Sequence, residues 1–107
     1  MSLDVYLENK VGKELYSRNI THNLVKMAIE AGIYECLWRP NEHGITHAQQ
    51  IIEPLASGIA LLTTQKARFE KFNASNGWGF WEHFLLFCAS YLQACRDNSD
   101  ALVKVSR

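Results

Sequence analysis

Charge of one sign is what the sequence most clearly lacks, since 11 Lys and Arg stand against 11 Asp and Glu. A neutral chain has no clustered cationic face for phosphate backbones, so nucleic-acid binding is not expected, and an acidic mimic of DNA is not expected either. Cysteine is scarce and odd in number. Cys36, Cys88 and Cys95 form no CxxC pair, which suits a reducing compartment better than a disulfide framework. Cys88 and Cys95 sit seven residues apart on one predicted helix, about 10 Å along its axis and too far to bridge. Long apolar runs are missing as well. The greasiest stretch, Phe80 to Leu92, contains Glu82 and His83 and falls short of the roughly 18 uninterrupted apolar residues of a membrane span, so no membrane partner is expected. The N-terminus shows no apolar segment behind a basic start and carries Asp4, Glu8 and Lys10. It does not read as a secretory signal, and the mature chain is expected to begin here, in the cytoplasm.

What is present is the composition of a globular protein. With 107 residues, 48% hydrophobic and 21% charged, the chain is long enough for one domain, too short for two ordinary ones, and able to bury a core without disulfides or metals. No internal repeat, low-complexity tract or linker divides it, so residues 1–107 are expected to form a single domain.

The start predicts a β-hairpin: Leu3, Val5 and Leu7 alternate with Asp4, Tyr6 and Glu8, Gly12 supplies the turn, and the second arm resumes at Glu14 to Ser17. A short helix is expected to begin near Thr21 or Asn23 and to end at Gly32, with Leu24, Met27, Ala28 and Ala31 at helical spacing. Tyr34 to Gly44 reads as a loop, because Arg39 precedes Pro40 and Asn41 to Gly44 is turn-like. Thr46-His47-Ala48-Gln49 has the form of a capping box opening a second helix, whose inward face is Ile51, Ile52, Leu55, Ile59 and Leu62. Pro54 would kink that helix beyond its first turn. Gln65 to Phe72 continues as a separate helical turn presenting Phe69 and Phe72. The third helix carries Trp81, Phe84, Leu85, Cys88, Tyr91, Leu92 and Cys95 at i, i+3, i+4, i+7 spacing. Leu102 to Val105 then read as a final strand that pairs with the hairpin. The expected fold is α+β: a small antiparallel sheet, the N-terminal hairpin plus a C-terminal strand, with about three helices packed on one face.

Three polar and aromatic groups are candidates for binding. The densest is Ser17, Arg18, Asn19, Thr21, His22 and Asn23: at a helix start, exposed backbone N–H groups beside a histidine can hold an anion, or Thr21 simply caps the helix. In Trp38-Arg39-Pro40 the arginine can grip a phosphate beside an indole, or Trp38 is core and Arg39 pairs with a surface carboxylate. In Asn76-Gly77-Trp78-Gly79 two glycines let backbone approach a ligand, or they form a tight turn. The Gly-x-x-x-x-Gly-Lys spacing of a P-loop is absent.

His43 and His47 have an H-x-x-x-H spacing, but Gly44 and the cap at Thr46 interrupt it and no cysteine pair completes a site, so neither a metal nor any other cofactor is expected. Cys36 has no flanking pattern of a nucleophile and reads as a small buried apolar group. On the third helix Leu86 lies away from the main stripe while Phe80 and Phe87 widen it, which marks an interface with a second copy or a host protein, or a surface covered by a loop of the same chain.

With Asn19-Ile20-Thr21-His22-Asn23, Gly32-Ile33-Tyr34, Leu37-Trp38-Arg39-Pro40, Asn76-Gly77-Trp78-Gly79 and Val105-Ser106-Arg107 in view, the chain resembles a family of small uncharacterised proteins encoded by phages and prophages. The resemblance implies a setting in the bacterial cytoplasm and carries no chemistry.

The expected function is therefore that of a non-enzymatic binding protein, a phage counter-defence factor that sequesters a small anionic or nucleotide ligand. Asn19, His22, Asn23, Arg39 and Asn76 would contact it, with Trp38 and Trp78 stacking. The alternative is an oligomeric or host-protein interaction module using Phe80, Leu86 and Phe87 of the third helix. An enzyme with His22 as acid and base is the third reading, and the sequence places no carboxylate or nucleophile beside that histidine.

Overall fold

A computed structural model describes residues 2–73 and 79–107. Three strands form one antiparallel sheet in the order β2-β1-β3: β1 is Ser2–Glu8, β2 is Glu14–Thr21 and β3 is Leu102–Ser106. The alternation of β1 fixes which face is which. Leu3, Val5 and Leu7 are fully buried under the helices while Ser2, Asp4, Tyr6 and Glu8 face outward, as a half-covered antiparallel sheet requires. The final strand lies beside β1, with Val5 opposite Val105 and Leu7 opposite Val103. A bulge shifts the β1–β2 register between Leu7 and Glu8, so Leu7 faces Tyr16 but Glu8 faces Glu14.

The second strand is longer than its sequence pattern suggests. Arg18, Asn19 and Thr21 lack the apolar alternation of a strand, yet they pair with Val5, Asp4 and Ser2; ladder hydrogen bonds along the hairpin override local propensity. Thr21 then caps a three-residue 3-10 turn, its hydroxyl accepting from the Asn23 N–H at 3.2 Å, and helix α1 (Val25–Glu30) follows and gives way at Gly32. The segment read as a loop carries helix α2 (Tyr34–Trp38) and a second 3-10 turn, Pro40–His43. The break between them falls at Arg39, where the following proline disfavours helical backbone and φ is −132°.

Helix α3 (Gln49–Thr64) runs on past Pro54. Its start is organised by Gln50 rather than Gln49: the Gln50 side-chain oxygen accepts from the Thr46 and His47 N–H groups at 2.8 and 2.9 Å. Ile51, Leu55 and Leu62 are buried, Ile52 and Ile59 half-buried, and Gly58 lets the helix close on Ile33, whose methyl group lies 2.3 Å from where a Cβ would stand. Helix α4 (Lys66–Glu70) buries Phe69 and leaves Phe72 half-buried beyond its end. Helix α5 (Trp81–Asp97) buries Phe84, Phe87, Cys88, Tyr91, Leu92, Ala94 and Cys95. Its first residue is tied to α3 by a bond from the Trp81 indole N–H to Leu62 O at 2.8 Å. The result is the expected α+β arrangement, with five α-helices rather than three covering one face of the sheet. Among the described residues no helix is long and apolar enough to cross a membrane.

Candidate functional site

Trp38 is the hub of one of the polar clusters. Its ring is 2% exposed, its indole N–H donates to His22 Nδ1 at 2.9 Å, and Tyr34 stacks on it with ring centroids 5.7 Å apart. A ring held this way belongs to the core, which corrects its assignment as a stacking platform for a ligand. Arg39, its neighbour, lies flat against its own segment: Nε donates to the Tyr34 hydroxyl at 3.2 Å and Nη1 to Glu42 at 3.0 Å. The Tyr34 hydroxyl, followed by Glu42, raises the guanidinium pKa further. The surface ion pair is thus what Arg39 forms, rather than a free phosphate grip.

Asn19 is turned to the outer face of the sheet, where its side-chain amide donates to the Ser2 hydroxyl and Asp4 Oδ1, both at 2.8 Å. His22 faces Trp38 instead, so Asn19 and His22 do not converge on one ligand. Asn23, exposed, has its N–H capped by Thr21. Asn76 and Trp78 lie outside the described residues. The last glycine of their motif, Gly79, is buried against the 3-10 turn at φ +121°, and a Cβ there would stand 3.2 Å from that of Asn23. Only glycine tolerates that backbone at such an approach.

This contact brings two of the motifs together at one groove. Arg18, Asn19, Ile20, Thr21 and Leu24 form one wall and Gly79, His83, Leu86 and Phe87 the other, enclosing about 380 Å³, within the size range of small-molecule sites. Ile20, Leu24 and Phe87 are buried and make an apolar floor, while Arg18, His83 and Leu86 are exposed on the rim. Arg18 lies opposite Val5 and so on the helix side of the sheet. It forms no ion pair among the described residues. Phe80 is half-buried, its ring 5.7 Å from that of His83. Of the three interface residues expected on this helix, Phe87 is 1% exposed and belongs to the core, and Leu86, 61% exposed, is the one that offers apolar surface.

A second cleft of about 430 Å³ opens at the other edge of the sheet, between β3 and residues 40–46. Lys104, Arg107, Asn41 and Thr46 supply its polar groups. Arg107 is held by bonds from Nη1 to Trp38 O at 2.7 Å and Asn41 Oδ1 at 3.2 Å, with Nη2 3.9 Å from Glu42. The sequence marks neither basic residue as a binding candidate: Lys104 sits in a plain strand pattern, and Arg107 enters only through the Val105-Ser106-Arg107 motif, which carries no chemistry.

The three cysteines are buried free thiols. Burial, reinforced by the Glu35 charge, pushes the Cys36 thiol up to about 12, and burial followed by Cys36 does the same to Cys95. Protonated thiols of this kind are poor nucleophiles and poor metal ligands. Among the described residues no group of three His, Cys, Asp or Glu side chains is placed to hold a metal ion; His47 instead bridges Leu102 and bonds the Thr46 hydroxyl at 2.7 Å. No protein-family model matches the chain, and neither does any curated protein or solved structure.

Proposed function

We propose that this chain is a non-enzymatic binding protein that holds a small anionic ligand, a nucleotide being the best fit, in the groove between the end of β2 and the start of α5. In the phage setting that the resemblance implies, sequestering such a ligand in the bacterial cytoplasm is the work of a counter-defence factor, and that is the role proposed here. The observation that carries the reading is Arg18, an exposed guanidinium without an ion pair among the described residues, at the rim of an apolar-floored groove. A guanidinium at such a rim can take a phosphate bidentately while a flat ring packs against the exposed Leu86 side chain on the opposite wall. The Thr21 hydroxyl and the His83 ring add polar contacts on either wall.

Calorimetric titration with adenosine 5′-monophosphate tests this. Arg18→Ala is expected to weaken binding at least about tenfold, or about 1.4 kcal/mol, whereas Arg39→Ala, which removes a guanidinium already engaged by Tyr34 and Glu42, leaves the affinity unchanged. Equal affinity of wild type and Arg18→Ala would contradict the assignment.

A second reading, an interaction module using α5, is favoured by Leu86, a large apolar side chain 61% exposed on the otherwise mostly polar outer face of that helix. Under it the protein is a homo-oligomer or binds a host protein, and Leu86→Glu is expected to lower the mass measured by light scattering to that of one chain. A mass unaffected by the change counts against it.

A further inference from the structure

We infer that the cleft beside β3 is a docking site for an extended peptide carrying carboxylate side chains, which joins the sheet at Val105. The backbone gives the first reason. Along the outer edge of β3 the Val103 N–H donates to Thr46 O at 2.9 Å, and Leu102 bridges His47, so residues 46–47 already pair with the first half of this edge. Val105, two residues on, turns its N–H and C=O to the same side by the period of a strand, and no described residue pairs with it there. The edge is thus half covered by the chain itself and half open, with the opening in the cleft lined by Pro40, Ile45 and Val105.

Charge selects the occupant. Lys104 is exposed and forms no ion pair among the described residues, whereas the Arg107 guanidinium is taken up by Trp38 O, Asn41 and the Glu42 carboxylate 3.9 Å away. A cation beside one open strand-edge position matches an acidic extended segment: its main chain exchanges two hydrogen bonds with Val105, its carboxylates lie on the outer face that Lys104 shares with Tyr6 and meet Lys104, and its alternate apolar side chains enter the cleft on the other face. The opposite edge, β2, is a poorer template because the bulge near its start distorts its ladder.

The probe is an acetylated, amidated tetrapeptide of alternating valine and glutamate, followed by amide chemical shifts of the uniformly labelled protein. Shifts are expected at Val105, Gly44 and Thr46, with binding weakened at least about tenfold when glutamine replaces glutamate, when the central peptide nitrogens are methylated, and in the Lys104→Gln variant. Methylation that leaves binding intact, glutarate binding as well as the peptide, or an unmoved Val105 amide at millimolar peptide would each overturn it. Because Lys104→Gln changes one exposed side chain, loss of binding in that variant is read against an otherwise unchanged spectrum.

Discussion

Trp38→Ala is expected to cost about 3–5 kcal/mol of folding stability, the usual loss for a large aromatic removed from a core. Domains of this size are held by about 5–15 kcal/mol in total, so the variant sits near the edge of unfolding. The cost has several sources. The indole is 2% exposed, its stacking partner Tyr34 loses a neighbour at 5.7 Å, and His22 Nδ1 loses the N–H it accepts at 2.9 Å. Trp38→Phe separates these contributions: it keeps much of the ring and removes the donor, and is expected to cost about 1–2 kcal/mol. Urea unfolding of both variants checks the pair, and a loss below about 1 kcal/mol for Trp38→Ala would mean that the ring is not a core element.

Alkaline pH is expected to have an effect of similar size. The Cys36 and Cys95 thiols are raised from 9.0 to about 12 by burial, and burial also raises Cys88 and Tyr91. For an acid whose folded pKa lies above its unfolded one, the neutral form is favoured by folding. Its contribution is complete below about pH 9 and is lost as pH climbs toward 12, because only the unfolded chain releases the proton. Each unit of difference is worth about 1.4 kcal/mol per group, so two thiols alone account for several kcal/mol. Urea midpoints are expected to fall steeply between about pH 9 and about pH 11, and to fall less steeply in the Cys36→Ala, Cys95→Ala double variant. Equal slopes in the two proteins would show that the thiols ionise as readily folded as unfolded.

The parts of the fold that could be read in advance are those whose pattern repeats. Helix α5 keeps its apolar spacing from Trp81 to Cys95 over several turns, and β1 alternates without a fault; repetition of this kind leaves one face no place but the core. Helix α2 leaves no periodic signal because five residues give barely more than one turn, and the last residues of β2 are polar and are held by pairing with β1 rather than by their own propensity. The capping box failed by a single residue, since the side chain that reaches back to Thr46 belongs to Gln50.

The candidate site follows the same division. The polar run from Ser17 to Asn23 was conspicuous, but which members share a surface depends on strand parity: Asn19 turns outward to Asp4 while Arg18 turns toward the helices. Trp38 and Arg39 stood equally well for core and for site, and only their partners, His22, Tyr34 and Glu42, decide between them. Lys104 and Arg107 acquire meaning from the 40–46 segment, more than fifty residues away in sequence.

An amide chemical-shift map of the protein titrated with adenosine 5′-monophosphate tests the central claim most directly. The account predicts shifts concentrated at Arg18, Thr21, Gly79 and His83, and their disappearance in Arg18→Ala. Shifts that gather around Arg39, or that persist unchanged without the Arg18 guanidinium, would contradict it.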